Sequence, residues 1–302
     1  MILSNKKFFT KEHFEKNKGY APAYLCELVV YCMELLSQLS AQELKFRFKG
    51  GNSLLLILKE PERFSIDVDI ATSATKEEII KKMEAIVKEC EKFTKLEIRQ
   101  HQTKPWLPMI SFKIYFNSFY QNHENSFVML DAVLKQIPYP GYLTKIKIKE
   151  IYESEYEVEV SEPSGLIGDK LLTISPATLG IPLGKKKEAQ RLKHIFDISR
   201  LAKENYSINE VKESINNCIK QENEIQGKNF SLKEIKEDTK KFCEVATGFK
   251  EKPELEKIEK DQYLYEIVKG FDEFKNYVFK REYKWNDLLN DMSTVLNILE
   301  KI

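Results

Sequence analysis

The chain of 302 residues predicts an α+β protein: an N-terminal mixed sheet flanked by helices, followed by a helical C-terminal domain. Three observations predict it. Short alternating apolar runs recur through the first half, as strands with one buried face require. The cluster Ser161-Glu162-Pro163-Ser164-Gly165 then interrupts the pattern with turn residues. Beyond it, apolar residues recur at helical spacing nearly to the end. The expected domains are therefore 1–160 and 161–302.

Taken in order, Leu25, Leu28, Val29, Cys32, Leu35, Leu36 and Leu39 predict a buried helix over 22–40. Phe46 and Phe48 alternate with charges and predict a short strand running into Gly50-Gly51. Asn52 or Ser53 is placed to cap a short helix through Leu58. Lys59-Glu60-Pro61-Glu62 is a turn, and the run Phe64 to Ile70 alternates as a strand with Phe64, Ile66, Val68 and Ile70 toward the core. Ile79, Ile80, Met83, Ile86 and Val87 predict an amphipathic helix from Thr75 to about Phe93. Strands are expected at Met109–Phe116 and Ser126–Leu134, and an antiparallel pair at Thr144–Ile151 and Glu155–Val160. Residues 203–260 are rich in Lys, Glu and Asn and read as solvated helices and loops. The last helix carries Trp285, Leu288, Leu289, Met292, Val295, Leu296, Leu299 and Ile302 as one stripe, expected to pack on its own domain.

Composition excludes several classes. Lys+Arg number 48 against 47 Asp+Glu, so the net charge of +1 gives no global attraction to nucleic acid, and any polyanion site must be a local patch. Five cysteines show neither CxxC nor Cys/His ligand spacing, which reads as reduced core thiols. His13, His101 and His123 form no ligand pattern. No apolar run approaches the ~20 residues needed to span a bilayer. The first residues turn polar too soon for a signal peptide, so no membrane is involved and the cytoplasm is the expected location.

The chemistry concentrates in Lys49-Gly50-Gly51-Asn52-Ser53-Leu54 and Arg63-Phe64-Ser65-Ile66-Asp67-Val68-Asp69. A glycine pair between strand and helix lets the backbone approach phosphate oxygens, where N-terminal helix amides favour an anion. The Ser53 hydroxyl can donate to the same phosphates. Asp67 and Asp69, at i and i+2 of a strand, project from one face. Two carboxylates on one face are what a two-metal phosphoryl-transfer site asks of a protein, with Mg²⁺ the hard cation that such oxygens suit. Asp131 interrupts the apolar strand Phe127–Leu134; a carboxylate there is costly unless paired or metal-bound, and it is the expected third metal ligand and the group that helps deprotonate an attacking hydroxyl.

These motifs resemble the nucleotidyltransferase superfamily related to polymerase beta, and within it the AbiEii/AbiGii toxin family of abortive-infection and toxin–antitoxin systems. That family reads Phe-Lys-Gly-Gly-Thr-Ser/Ala-Leu and then Arg-Phe-Ser-x-Asp-x-Asp; this chain has Phe48 to Leu54 and Arg63 to Asp69 without a gap. A second likeness lies in Gly168-Asp169-Lys170-Leu171-Leu172 and Lys193-His194-Ile195-Phe196-Asp197-Ile198, so the resemblance covers residues 15–201. Two departures stand out. Asn52 replaces the usual Thr, and His194 stands where a first Asp is expected, so only Asp197 carries over.

The resemblance implies transfer of NMP from an NTP (ATP or GTP being the usual donors) to an acceptor hydroxyl with release of pyrophosphate, using two Mg²⁺ ions. It implies that Gly50, Gly51, Asn52, Ser53, Arg63 and Ser65 hold the nucleotide, that Lys170 reaches the triphosphate, and that Asp197 orients Lys170 or a nearby base. It places the site in a cleft between the domains, with a tRNA 3′ end as acceptor and a separately encoded antitoxin. Lys185-Lys186-Lys187 forms a basic loop suited to an RNA backbone. Gly180 to Lys186 resembles a P-loop but has three residues between its glycines, where four are needed, and no Ser/Thr after the first lysine. The rival readings are transfer to a protein or small molecule, a non-catalytic nucleotide or RNA binder, and an interaction protein worked by its helical half.

Overall fold

The computed structural model describes residues 1–99, 108–122, 124, 126–258 and 261–302. His101 and His123 lie outside the described residues. The chain divides into two compact units: 1–137 with 141–161 and 279–281, and 138–140 with 162–278 and 282–302.

The first unit is built on a seven-stranded sheet: β1 (Phe46–Lys49), β2 (Asp67–Thr72), β3 (Phe93–Arg99), β4 (Met109–Phe116), β5 (Phe127–Val133), β6 (Gly141–Ile148) and β7 (Tyr152–Ser161). Their order is β3-β4-β5-β2-β1-β7-β6. The sheet is mixed: β2 runs parallel to β5 and β1 parallel to β7, while the remaining neighbours are antiparallel. Helices α1 (Lys11–Asn17), α2 (Ala23–Ala41), α3 (Leu54–Ile57) and α4 (Lys76–Glu89) complete the unit.

Helix α2 packs on β7, β5, β2 and β6. Its predicted apolar set is buried, and so are Glu27 and Glu34. A buried carboxylate needs donors, and Glu34 takes them from Leu3 N (2.8 Å), Ser4 Oγ (2.9 Å), Gln38 Nε2 (2.8 Å) and Tyr152 Oη (2.9 Å). Helix α4 starts at a capping box in which Thr75 and Glu78 satisfy each other's backbone amides.

Three expectations are corrected. The strand predicted from Phe64 begins at Asp67, because the ladder with β1 and β5 starts there; Ile66 is half-buried, while Phe64 is fully buried and stacks on Phe279 at 4.3 Å between centroids. No side chain caps α3: Ser53 is itself helical in backbone conformation. The helix expected to reach Phe93 stops at Glu89, and Phe93–Arg99 forms the edge strand β3. The late segment 279–281 belongs to the first unit, its Phe279 amide donating to Glu62 O (2.9 Å) and its carbonyl accepting from Tyr20 N (2.9 Å).

The second unit is helical: α5 (Pro163–Ile174), α6 (Glu188–Leu201), α7 (Ile208–Gln226), α8 (Leu232–Thr247), α9 (Gln262–Phe274) and α10 (Trp285–Lys301). Pro163 at the first position of α5 suits its fixed φ and missing N–H. Helices α7 and α8, read from sequence as merely solvated, each bury one stripe, Val211/Ile215/Cys218/Ile219 and Ile235/Phe242/Cys243/Ala246. Helix α6 is the hub, with three buried ion pairs to three different helices: Arg191–Glu266 (2.6 Å), Asp197–Lys170 (2.8 Å) and Arg200–Asp291 (2.6 Å). Trp285, Leu288, Met292, Val295 and Leu299 of α10 are buried, and α10 packs on α6 and α8.

Candidate active site

Strand register assembles the acidic residues. Lys49 faces Asp69 across β1–β2, Asp69 faces Asp131 across β2–β5, and Ser111 faces Asp131 across β4–β5. Directly paired residues project from the same face of a sheet, so Lys49, Asp69, Asp131 and Ser111 form one row across four strands. Asp67 lies two residues along on that face. The intervening Val68, Ile70, Leu130 and Ala132 are buried on the other face. Asp67 is exposed, and Asp69 and Asp131 are half-buried. Ser111, fully buried and not singled out by sequence reasoning, donates its hydroxyl to Asp131 Oδ1. Only the register of β4 against β5 identifies it, and one sequence carries no signal for that register.

The glycine turn is shaped around these acids. Gly50 is left-handed (φ +73°), and a Cβ there would come 1.9 Å from Asp69 Oδ2. A Cβ on Gly51 would come 2.5 Å from Arg63 Nη2 and 2.9 Å from Ser65 Oγ. The two glycines therefore let the backbone lie against the carboxylate on one side and the Arg63–Ser65 segment on the other. Ser53 is buried and its hydroxyl donates to Gly50 O (2.9 Å), so its proton closes the turn. Arg63 is buried and donates to Phe64 O (3.0 Å). Beneath the turn lies Cys32 of α2, whose thiol donates to Ile66 O (3.2 Å) just ahead of Asp67; burial first, and then the charge of Asp67, hold that thiol well above its usual pKa.

Asn52 is fully buried beside the Cys32 thiol, which its side chain engages and whose pKa it pulls down against the effect of burial.

In the second unit the structure brings Lys170 and Asp197 together, 3% and 1% exposed, at 2.8 Å. They are neither solvated nor on a helix surface. The Lys185–Lys187 loop is exposed. The false P-loop ahead of it is tied down by Glu266, which accepts from Gly184 N, and by Arg191, which donates to Ile181 O.

The donor set fits a hard divalent cation. Carboxylate oxygens of Asp67, Asp69 and Asp131 lie on one face, and magnesium uses one or two protein carboxylates with substrate phosphates rather than a dedicated cage. Among the described residues no group of three or more His, Cys, Asp or Glu stands at ligating spacing.

A mixed sheet thus presents paired aspartates beside a glycine turn. Comparison with known proteins gives the family. The model of the family described as nucleotidyl transferase AbiEii toxin, type IV toxin–antitoxin system, matches residues 34–276, and the chain belongs to that family. It is a nucleotidyltransferase of the toxin–antitoxin type. No curated relative matches the sequence. Among solved structures, MenT4, a nucleotidyltransferase toxin from Mycobacterium tuberculosis H37Rv, matches with TM-score 0.56 and 14% identity over 95% of this chain and 99% of that chain, which shows a shared fold. An antigenic nucleotidyltransferase-like protein from Paracoccidioides brasiliensis shares 14% identity over 67% of this chain and 91% of its own, at a TM-score of 0.40, too low to argue a shared fold. Among the described residues no helix is long and apolar enough to cross a membrane.

Proposed function

We propose that the protein moves NMP from an NTP to the hydroxyl of an RNA 3′ end, tRNA being the expected acceptor, in a magnesium-dependent reaction. It would act as the toxin of a pair whose antitoxin is separately encoded. The observation that carries this reading is the pairing of Asp69 with Asp131 in register, with Asp67 two residues along on the same face.

In this reading Asp67, Asp69 and Asp131 would hold magnesium, which would supply positive charge to offset that of the triphosphate and lower the pKa of the acceptor hydroxyl. The backbone at Gly50 and Gly51 lies along the phosphates, with Arg63 and Ser65 fixing the turn from behind. Asn52 offers its amide to the bound nucleotide. Asp131 accepts the proton of the attacking hydroxyl, and Ser111 holds one of its oxygens so that the other faces that hydroxyl. The hydroxyl oxygen bonds to the α-phosphorus while the bond to the β-phosphate oxygen breaks and pyrophosphate departs. Positioning and fixed charge supply most of the barrier reduction in such chemistry. Lys170 and Asp197 are the pair assigned to triphosphate contact and its orientation.

The test is transfer from each α-³²P-labelled NTP, offered singly with Mg²⁺, to total tRNA. Label entering tRNA with wild type and not with Asp67→Asn/Asp69→Asn is the expected result. Label found in protein or in a small molecule, with none in tRNA, would overturn the RNA reading.

A further inference from the structure

The acidic row continues beyond Asp131 into a basic and aromatic strip. Arg99 of β3 pairs with Ser111, extending the row to five strands: Arg99, Ser111, Asp131, Asp69 and Lys49. One step along β4, Glu97, Lys113 and Met129 pair across the strands, and one further step Lys95, Tyr115 and Phe127 do the same. Direct pairing at period two puts all of these side chains on the face that carries the aspartates. Ile110, Phe112 and Ile114, on the opposite face of β4, are buried.

Cations and rings interleave on this strip. Lys113 Nζ sits 4.7 Å from the centroid of the Phe127 ring and Lys95 Nζ 5.1 Å from that of Tyr115. The two rings meet edge to face at 5.6 Å. Arg99 lies against Met129 Sδ at 3.8 Å. Lys95 and Arg99 are exposed, and the Lys113 side chain is 26% exposed, so the cations face solvent; Phe127 is half-buried and is the ring open to a base, while Tyr115 is buried and supports it edge-on. Of the acids near the strip, Glu97 is engaged by the Tyr115 hydroxyl (2.8 Å) and Lys113 (3.6 Å), and Glu124 lies close enough for its charge to act on Tyr115.

We propose that this strip on β3, β4 and β5, formed by Lys95, Arg99, Lys113, Tyr115 and Phe127, is the binding surface for the single-stranded end of the acceptor RNA. The inference rests on the proposed RNA reading and adds the surface that delivers the acceptor. A chain with net charge +1 gathers a polyanion only through a local patch. Cations that follow a backbone, with rings on which bases stack, are the general means of holding a single strand. Two strand spacings, about 10 Å, separate the Arg99 position from Asp131. A strand lying on the strip is thereby led end-first to the carboxylate that takes its proton. On binding, phosphates draw the lysine ammonium groups from above the rings and a base takes the place of Lys113 on Phe127.

The experiment uses the full-length chain and a fluorescein-labelled single-stranded RNA of twelve nucleotides. Anisotropy is followed across a salt series, with binding of NTP measured separately. Lys95→Gln/Arg99→Gln/Lys113→Gln is expected to weaken RNA binding at least about tenfold and to reduce the salt slope by about 2, while NTP affinity stays within twofold. Phe127→Leu is expected to weaken RNA binding several-fold at unchanged slope. Lys95→Arg/Lys113→Arg retains the cations and is expected to bind as wild type does. Equal RNA binding by wild type and the triple Gln variant overturns the strip. Wild type that binds NTP and labels an acceptor other than RNA overturns it together with the RNA reading. Wild type that labels RNA while the triple variant labels it equally well overturns the strip alone.

Discussion

The backbone of Gly50 lies so close to the Asp69 carboxylate that a methyl group added there would come 1.9 Å from Oδ2. The same residue is left-handed, with φ +73°. Gly50→Ala therefore meets two penalties: about 1–2 kcal/mol for the left-handed backbone, and a displaced carboxylate. A misplacement of about 1 Å can cost 10²-fold in rate. The expected outcome is a loss of about a hundredfold or more in NMP transfer with a modest fall in the urea midpoint. Full activity would mean that Asp69 does not act from this position.

Ser111 is a positioning residue in this account. Ser111→Ala removes a hydrogen bond to a charged acceptor, an interaction of about 1.5–3 kcal/mol. A fall in kcat of about ten- to a hundredfold is expected with KM for NTP unchanged, and Ser111→Thr should recover part of it. A change confined to KM would place Asp131 outside proton transfer.

Lys170 and Asp197 separate stability from chemistry. Both are almost fully buried, so removing one partner leaves an uncompensated charge at a cost of about 3–5 kcal/mol. Lys170→Met is expected to be strongly destabilised, and Lys170→Met/Asp197→Leu to recover most of the loss in urea unfolding. If the lysine acts on the triphosphate, the double variant folds and stays inactive. Recovered activity would make the pair purely structural.

Glu27 gives the fold a pH signature. Burial raises its pKa above the ordinary 4.5, against the lowering effect of donation from Ser118 Oγ and Phe119 N. A carboxyl whose folded pKa is raised binds more protons folded than unfolded. Its contribution is therefore complete below about 4.5 and is lost as pH rises through the folded value. Glu27→Gln is expected to gain stability relative to wild type between pH 4.5 and 7.5, read as urea midpoints at the two ends. A constant difference across that range would contradict the burial argument.

The sequence made the glycine turn and the acidic row of the first unit legible because their signals are local. Gly-Gly, Asp-x-Asp and an acid inside an apolar strand each declare themselves within a few residues, and the observed ladder places Asp69 beside Asp131. What stayed hidden depends on distant partners. Ser111 has meaning only through the register of β4 on β5. Phe279 joins the first unit from 215 residues beyond Phe64 in chain order, which no spacing rule reports. The edge strand β3 did alternate, Leu96 and Ile98 against Lys95, Glu97 and Arg99, but its charged face reads as surface until the sheet shows that it continues the acidic row. The resemblance already coupled Asp197 to Lys170; that the two are buried follows only from the packing of α5 against α6.

The most direct test of the central claim is pyrophosphate release and acceptor labelling measured together, with Mg²⁺ titrated from zero, for wild type, Asp67→Asn, Asp69→Asn and Asp131→Asn. The account predicts one pyrophosphate for each NMP transferred, strict dependence on the divalent ion, and loss of both signals in all three variants while thermal melting shows them folded. Undiminished transfer by any one of the three, or full transfer in the presence of a chelator, would contradict it.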